Sequence, residues 1–402
     1  MYKLFSGLLL ASCIVAPTLY AEVSSEAVTA SGTDNETLLL NSLRHLREQR
    51  VDSALQDLKT LTRQQPDFRL AQLIYADLMA AQGSPLQEIG QNRSIDDKKL
   101  AGLISEAKAR LLIETEKPAP DMVPASMIQL APSQKYAIVM DTRLHRLFVF
   151  ENVMGVPTLI KDYYASYGRG GVGKEKQGDL KTPLGVYFVT GRFSDAQLPE
   201  RYGSGALPLN YPNVWDERKG RTGNGIWVHG SPFETYSRPP EASEGCISLS
   251  NLDFVELDGL VNIRNTPVLV GHNVHWMPRE SWLEQQGHYR NLIDRWRTDW
   301  ESLDNERYLA HYSRSYKSGS WDYQRFITHK RKVNASKKYI KVGVDQLSLF
   351  TYPDNPGLLV ATFKQSYKSS NYKGDSLKRQ YWVLEDGGWR IAYEGKPSKG
   401  KP

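Results

Sequence analysis

A cysteine and a histidine near the middle of the chain stand in an order that suits a nucleophilic site. Cys246 ends the sequence Ser-Glu-Gly-Cys and lies 17 residues after His229, which begins the pair His229-Gly230. The apolar run over residues 226–228 predicts a strand that ends at the histidine, and Gly245 predicts a turn that presents the thiol. A free thiol has a pKa near ~8.5, and a neighbouring imidazole can lower it enough to form thiolate at neutral pH.

The cysteine count supports a chemical use for this thiol. The chain has two cysteines, Cys13 and Cys246. If a leader containing Cys13 is removed, no intramolecular disulfide can form, and a lone thiol is a liability in an oxidising compartment unless it is used. A buried, inert cysteine is the alternative. The flanking glycine and the upstream His229 favour the nucleophile.

The first 21 residues have the composition of a secretory signal peptide, which predicts an exported, periplasmic protein. One lysine precedes an apolar run over residues 4–15, which is shorter than the roughly 20 residues of a membrane span. Cleavage is expected after Ala21. A second interpretation is a lipoprotein signal with Cys13 as the acylated residue. Residues 22–36 are rich in Ser, Thr, Ala and Glu and are predicted to be a disordered lead-in.

The next segment, residues 37–116, is predicted to be helical. Apolar residues at helical spacing continue as far as Leu61, stop at Pro66-Asp67, and resume at Leu70. The pattern resembles one tetratricopeptide repeat and the helix after it. Because a solenoid needs several repeats, we expect a small helical cap or docking element here.

At 402 residues the chain has room for two or three domains, and its content of 40% hydrophobic and 24% charged residues is ordinary for a globular protein. Residues 117–132 begin with Lys-Pro-Ala-Pro and are predicted to be a linker. Residues 133–274 contain short apolar runs separated by glycine and proline. This pattern predicts a mostly β domain, either a sandwich or a barrel.

The last unit, residues 278–396, is predicted to be an α+β domain, with a helix over 282–312 and antiparallel strands after it. Four aromatic residues at helical spacing are more typical of a core than of a ligand cage: Trp296, Trp300, Tyr308 and Tyr312.

Residues 278–402 contain 23 Lys and Arg against 14 Asp and Glu, a balance of +9, whereas the whole chain carries +6. This charge suits an anionic cell-wall polymer or an envelope protein as partner, and a solvated basic face is the alternative.

Three motifs follow one another in the middle unit: Lys181-Thr182-Pro183-Leu184-Gly185, His229-Gly230 and Ser-Glu-Gly-Cys246. With these motifs in this order, the unit resembles the L,D-transpeptidase (YkuD-type) family over about residues 133–272. The last unit resembles the nuclear transport factor 2-like fold, on the segment 296–304 and on Gly387-Gly388-Trp389. The combination is similar to cell-shape L,D-carboxypeptidases of curved and helical bacteria. The expected fold is therefore multidomain, with an all-α tetratricopeptide-like region, a mostly β catalytic domain and an α+β nuclear transport factor 2-like domain.

The resemblance implies an enzyme, with no cofactor or metal, that remodels the peptide stems of peptidoglycan through a cysteine acyl-enzyme. Cys246 would be the nucleophile and His229 its base, with the carbonyl of Gly230 orienting the imidazole. The backbone N–H groups of Gly245 and Cys246 would form the oxyanion hole. Ser243 would hydrogen-bond the substrate peptide.

Further substrate contacts are predicted from residues around this motif. Ser231 is a second candidate for hydrogen bonding to the peptide. Four aromatic residues are candidates for a substrate groove, with ordinary packing as the alternative: Tyr163, Tyr167, Trp227 and Tyr236.

One departure from the family motif concerns the second residue after the nucleophile. The motif usually continues with an aliphatic residue and arginine, whereas here Cys246-Ile247 is followed by Ser248. Serine cannot supply the fixed cation. Family members that lack the arginine include ones that resemble a carboxypeptidase, which removes a terminal D-Ala, and an amidase, which releases wall-bound protein. Water is therefore favoured as acyl acceptor, and an L,D-transpeptidase that cross-links peptidoglycan or attaches or releases protein is the alternative.

Other functional classes are less consistent with the sequence. Residues 168–174 have the spacing of a phosphate-binding loop, but Glu175 stands where a hydroxyl residue would bind Mg²⁺, so no nucleotide is predicted and a flexible loop over the active site is expected. Nucleic acid is an improbable partner for an exported protein. A zinc site would need His272 and His275 to join the catalytic pair, and no tight Cys/His cluster supports it. A non-catalytic wall-docking scaffold is the alternative from another class, and the intact Cys246 argues against it.

Overall fold

The computed structural model describes residues 32–82, 90, 96–236 and 238–397. The predicted signal peptide and Cys13 lie outside these residues. The first described helix begins at Gly32, so residues 32–36, predicted to be disordered, are helical. Within the described ranges, no helix is long and apolar enough to cross a membrane.

The N-terminal region is helical, as predicted. It contains α1 (Gly32–Arg47), α2 (Val51–Gln64), α3 (Arg69–Ala81) and α4 (Asp97–Glu116). Its core contains Leu58, Leu61 and Phe68, together with Tyr236 from the next domain. The apolar surface of this region therefore packs partly on the central domain.

The segment predicted as a linker contributes two short strands, β1 (Met122–Pro124) and β2 (Met127–Gln129). Neither strand pairs with its sequence neighbours. Their partners lie in the C-terminal part of the chain, beyond residue 270. The segment is therefore ordered through contacts with distant residues.

The central domain is mostly β, as predicted, with two short helices. Its strands are β3 (Tyr136–Asp141), β4 (Arg146–Val153), β5 (Val156–Tyr164), β6 (Tyr167–Gly168), β7 (Gly185–Phe188), β8 (Phe193–Ser194), β9 (Gly205–Pro208), β10 (Trp227–His229), β11 (Glu241–Ser243), β12 (Ile247–Ser248) and β13 (Pro267–Gly271). Its helices are α5 (Val214–Arg218) and α6 (Asn251–Leu260). One sheet has the order β5-β4-β3-β13-β7 and a second has β12-β10-β9-β8. A single hydrophobic core joins both sheets and α6, with Val149, Val228 and Phe254 among its members.

The C-terminal domain has the predicted α+β organisation. Its helices are α7 (Arg279–Glu301), α8 (Asn305–Leu309) and α9 (Tyr323–Ala335), and its strands are β14 (Trp276–Pro278), β15 (Lys317–Ser318), β16 (Trp321–Asp322), β17 (Ile340–Tyr352), β18 (Asn355–Ser369), β19 (Tyr372–Glu385) and β20 (Gly388–Gly395). The helix predicted over 282–312 is interrupted at Leu303, which has a φ of +64°. Asp304 then caps α8 by accepting hydrogen bonds from two backbone N–H groups. The four predicted core aromatics are all buried, which confirms that assignment.

The two β domains are joined by strand pairing and by a shared core. Strand β1 pairs with β14, and β2 forms the edge of the sheet β2-β17-β18-β19-β20. Trp215 of the central domain stacks on Tyr381 at 5.5 Å, and the Asn213 amide donates a hydrogen bond of 3.0 Å to the Tyr352 hydroxyl. These contacts hold the C-terminal domain against the side of the central domain that carries β7 and α5.

Candidate active site

The parallel pairing of β10 and β12 brings the predicted nucleophile and base to one face. Val228 is opposite Ile247, and His229 is opposite Ser248. Side chains alternate between the faces of a sheet, and paired residues share a face. Val228 and Ile247 point into the core and are fully buried. His229 and Ser248 therefore lie on the opposite face, together with Cys246, which immediately precedes β12.

His229 is positioned as the sequence predicted. Its Nδ1 is 2.5 Å from the carbonyl oxygen of Gly230. In the tautomer that donates this bond, Nε2 is the unprotonated nitrogen and can accept a proton. Burial lowers the pKa of His229 to about 4, against the opposing effect of the Gly230 hydrogen bond. The imidazole is therefore neutral at pH 7, as a general base must be.

Cys246 is partly exposed, and its thiol donates to the carbonyl oxygen of Gly225 at 3.3 Å. Burial raises the pKa of the thiol to about 11, whereas a backbone hydrogen bond from Trp227 and the charges of Lys174 and Arg238 act in the opposite direction. In the resting site the thiol and the imidazole are therefore both neutral. The predicted nucleophilic role of Cys246 would require its proton to pass to a base, here His229, as the sulfur attacks.

The turn before Cys246 is held by its own side chains. Gly245 has a φ of +121°, and a Cβ there would lie 2.7 Å from the carbonyl oxygen of Lys181, so only glycine fits. The Ser243 hydroxyl accepts from the Gly245 N–H at 3.1 Å and donates to the Cys246 carbonyl at 2.6 Å. Ser243 is 4% exposed. It closes the turn, so its predicted role as a substrate contact is wrong. The Gly245 N–H is likewise occupied, which leaves the Cys246 N–H as the predicted oxyanion donor.

Thr182, which sequence reasoning left without a role, supports the same turn. Its buried hydroxyl donates to the carbonyl oxygen of Gly245 and accepts from the N–H of Gly168, both at 2.9 Å. Thr182 belongs to the Lys-Thr-Pro motif that the sequence shows, but the motif does not reveal where its hydroxyl group points.

Lys174 lies in the segment with phosphate-loop spacing. It pairs with Asp179 at 2.6 Å and is 4% exposed. A buried ion pair therefore stabilises the segment that was predicted to be a flexible loop.

Two of the predicted substrate contacts are directed away from the site. The Ser231 hydroxyl is buried and donates to the carbonyl oxygen of Thr235 at 3.0 Å. Tyr236 is buried against Phe68, with ring centroids 4.6 Å apart. The loop after β10 folds back onto the helical region, which explains why both predictions are wrong. The groove candidates Tyr163 and Tyr167 are also buried.

Trp227 is partly exposed and lies in an aromatic group at the rim of the site. Its ring is 5.6 Å from that of Phe193 and 4.9 Å from that of Tyr202. Tyr202 also contacts the His229 ring in an edge-on arrangement at 5.0 Å. Trp227 therefore remains the groove residue predicted from the sequence, and Tyr202 is an addition that sequence reasoning missed.

Arg201 is an exposed cation on this aromatic rim. Its guanidinium lies over the Tyr202 ring at 4.9 Å and donates to the Tyr202 hydroxyl at 3.2 Å. The Tyr202 hydroxyl raises the pKa of this guanidinium, and Glu244 and Cys246 act in the same direction with smaller effects. Arg201 forms no ion pair with a carboxylate of the described residues. Its sequence surroundings, Leu-Pro-Glu-Arg-Tyr, carry no recognisable signal for this position.

The histidines considered for a zinc site are not part of a ligand cluster in the described ranges. No group of three or more His, Cys, Asp and Glu residues lies close enough there to hold a metal ion. The Nδ1 of His272 is instead 3.1 Å from the Thr142 hydroxyl.

Comparison with known families gives the class of this site. Residues 135–270 match the L,D-transpeptidase catalytic domain (YkuD), and residues 289–395 match the Cds6 C-terminal NTF2-like domain, where NTF2 is nuclear transport factor 2. The chain therefore carries an L,D-transpeptidase catalytic domain followed by an NTF2-like domain, as the sequence predicted. The match to this catalytic domain supports a cysteine-dependent enzyme that modifies peptidoglycan.

Two solved structures share this organisation. Bd1075 of Bdellovibrio bacteriovorus is 27% identical, with a TM-score of 0.62, and the match covers 69% of this chain and 99% of that one. The helical cell shape determining protein Pgp2 from Campylobacter jejuni is 22% identical, with a TM-score of 0.56, over 68% of this chain and 95% of that one. No curated protein sequence matches the chain. The tetratricopeptide-like character of the N-terminal region is not confirmed by these matches.

Proposed function

We propose that this protein is an exported L,D-carboxypeptidase that removes the terminal D-Ala from tetrapeptide stems of peptidoglycan through a Cys246 thioester. The observation that carries the choice of a carboxypeptidase is Arg201. An enzyme that releases a C-terminal residue must recognise a free carboxylate. Arg201 suits that task, because its exposed guanidinium lies on the Tyr202 ring, which in turn contacts the His229 ring.

The proposed reaction begins with the stem lying along Trp227 and Tyr202, with its terminal carboxylate paired to Arg201. The Cys246 sulfur attacks the carbonyl carbon of the residue before D-Ala, and the thiol proton passes to Nε2 of His229. The tetrahedral intermediate carries its negative oxygen at the backbone N–H of Cys246. His229 then protonates the amine of D-Ala as the peptide bond breaks, and a thioester remains.

Hydrolysis completes the cycle. Water attacks the thioester carbonyl, and His229, neutral again, accepts the proton of the water. Collapse of the second tetrahedral intermediate expels the Cys246 thiolate, which regains a proton from His229. The products are a tripeptide stem with a new carboxylate and free D-Ala.

The location and biological effect belong to the same proposal. The composition of residues 1–21 supports export to the periplasm, where peptidoglycan is accessible. A stem that has lost its terminal D-Ala no longer offers the L,D bond from which a cysteine transpeptidase forms its thioester. Trimming would therefore limit such cross-linking, which gives the enzyme a means to influence cell shape.

The test is mass spectrometry of purified muropeptides after incubation with the mature protein and with Cys246→Ala. Loss of one alanine from tetrapeptide monomers, absent with Cys246→Ala, is the expected result. New dimers linked through the third residue of both stems would overturn hydrolysis in favour of transpeptidation. Unchanged muropeptides with an active-site thiol that still reacts with iodoacetamide would overturn both activities and favour release of wall-linked protein or a docking role.

A further inference from the structure

A chain of hydrogen bonds leads from the catalytic histidine to an arginine on the loop between β10 and β11. The Gly230 carbonyl oxygen that lies 2.5 Å from His229 Nδ1 also accepts a hydrogen bond of 3.2 Å from the Ser248 hydroxyl. The Ser248 hydroxyl in turn accepts from Nη1 of Arg238 at 3.2 Å. Arg238 is thus connected to His229 through one side chain and one backbone carbonyl.

Arg238 is fixed at both its side chain and its backbone. Its Nη2 donates to the carbonyl oxygen of Ala242 at 2.9 Å. Its own carbonyl oxygen accepts from the Tyr164 hydroxyl at 2.9 Å. Among the described residues, Arg238 forms no ion pair with a carboxylate, although its guanidinium is largely enclosed by the protein. A partly buried cation without a counterion is costly, and such groups are concentrated at functional sites.

We propose that Arg238 is a positioning residue for the reaction of Cys246: it fixes Ser248 and the Gly230 carbonyl that orients His229, and its charge favours the thiolate. The proposal rests on the proposed function in one respect, which is that Cys246 acts as a nucleophile. It does not depend on whether water or an amine accepts the acyl group.

The electrostatic effect of Arg238 has the same sign at both catalytic groups. Burial is the largest influence on each, and it raises the pKa of the Cys246 thiol and lowers that of the His229 imidazole. The positive charge of Arg238 lowers the pKa of both groups. It therefore favours the thiolate as nucleophile and the unprotonated imidazole as base.

This arrangement changes the interpretation of Ser248. The serine stands where the family motif has an arginine, and the sequence alone predicts a site without a fixed cation. In the structure, the Ser248 hydroxyl binds a guanidinium that comes from another loop. A positive charge is therefore present behind the nucleophile, and Ser248 alone does not discriminate hydrolysis from transpeptidation.

The helical N-terminal region supports the loop that carries Arg238. A Cβ on Gly102 of α4 would lie 3.0 Å from Cγ of Pro239, so the helix and the loop are in close contact. The Arg110 guanidinium, also on α4, lies 3.9 Å from the centre of the Tyr164 ring, whose hydroxyl binds the Arg238 carbonyl. We therefore assign to the predicted helical cap a role in positioning the active-site loop.

The test uses the mature protein and measures the rate of Cys246 alkylation by iodoacetamide as a function of pH, with intact-mass detection. The variant Arg238→Gln removes the charge and retains a hydrogen-bond donor for Ser248. We expect its alkylation at pH 7 to be roughly three- to tenfold slower and its profile to be displaced to higher pH, as expected when a nearby charge is lost. Arg238→Lys keeps the charge and should remain close to the parent profile.

A matched control is Arg143→Ala, which removes an exposed arginine paired with Glu116. Its profile should be unchanged. A folded Arg238→Gln variant with the parent pH profile, or an equal displacement in Arg143→Ala, would overturn the proposal. If Arg238→Gln unfolds, the test depends on Arg238→Lys, which keeps the positive charge. A folded lysine variant whose alkylation profile is displaced in pH would contradict the charge effect. A folded lysine variant with the parent alkylation profile would support it. Iodoacetamide alkylation of Cys246 does not require peptidoglycan. If Arg238→Gln displaces the alkylation profile but the parent protein leaves muropeptides unchanged, only the proposed substrate is overturned.

Discussion

The hydroxyl of Thr182 donates a hydrogen bond of 2.9 Å to the carbonyl oxygen of Gly245, the residue before the nucleophile. The same hydroxyl accepts from the Gly168 N–H. One buried side chain therefore joins the segment around Gly168 and the Lys-Thr-Pro segment to the turn before Cys246. The position of Cys246 depends on this contact, because the thiol is carried on the turn that the hydroxyl holds.

Thr182→Val tests this dependence. The substitution keeps the shape of the side chain but leaves the Gly245 carbonyl and the Gly168 N–H without their partner. Each buried group that loses a partner costs about 1–3 kcal/mol, so the free energy of unfolding should fall by about 2 kcal/mol or more. We also expect slower alkylation of Cys246, measured beside urea unfolding. Thr182→Ser, which retains the hydroxyl, should remain close to the parent in both measurements, and equal losses in the two variants would contradict the role of the hydrogen bond.

The contact between Gly102 and Pro239 gives a prediction at a distance from the thiol. Gly102→Leu places side-chain atoms where the loop that carries Arg238 now lies, and it should displace that loop. Turnover of tetrapeptide is expected to fall while the catalytic domain remains folded. Circular dichroism and turnover together provide the measurement.

Gly287→Leu is the matched control for Gly102→Leu. It makes the same change inside helix α7, where a Cβ on Gly287 meets no atom within 4 Å. Both substitutions improve helix propensity by a similar amount, up to about 1 kcal/mol, so propensity alone cannot separate them. Equal activity of the two variants would show that α4 does not position the loop.

Most of the fold, and the placement of His229 and Cys246 on neighbouring strand ends, could be predicted from the sequence. The apolar run that ends at His229 and the glycine before Cys246 are local signals, and they were sufficient to predict the strand and the turn. The aromatic spacing around Trp296 likewise predicted a core. The order of the motifs was sufficient to predict the catalytic domain.

The contacts around the site could not be predicted, because they depend on where loops return to the fold. Ser243 and Tyr236 have residue types that suit substrate binding, yet one closes a turn and the other packs on the helical region. Arg238 lies in a loop and Arg201 in a short 3-10 helix (Glu200–Tyr202), and neither segment carries a motif. The strands β1 and β2 were missed for a related reason, since their pairing partners are more than 100 residues away and proline-rich composition predicts a linker.

The depressed pKa of His229 predicts how stability depends on pH. The unfolded imidazole has a pKa near ~6.5 and binds a proton below it, whereas burial lowers the folded pKa to about 4. Between these values the unfolded state binds more protons, so the contribution of His229 to stability falls as pH decreases from about 6.5 to about 4. His229→Gln should reduce this dependence, measured by urea unfolding at several pH values. An unchanged slope in that variant would mean that His229 is not buried in the neutral form.

Arg201→Ala tests the recognition of the terminal carboxylate. If the guanidinium binds this group in the ground state and in the transition state alike, its removal should raise KM for tetrapeptide about tenfold or more and change kcat little, since a hydrogen bond to a charged group contributes about 1.5–3 kcal/mol. Arg201→Lys should recover part of the loss. A tetrapeptide with an amidated C-terminus is the decisive substrate: the parent should process it as poorly as Arg201→Ala processes the free acid, and Arg201→Ala should not discriminate between the two. An Arg201→Ala variant that still prefers the free acid over the amidated tetrapeptide would contradict the carboxylate-binding role proposed for Arg201. If a variant of a different arginine loses this preference instead, the carboxylate site lies at that arginine.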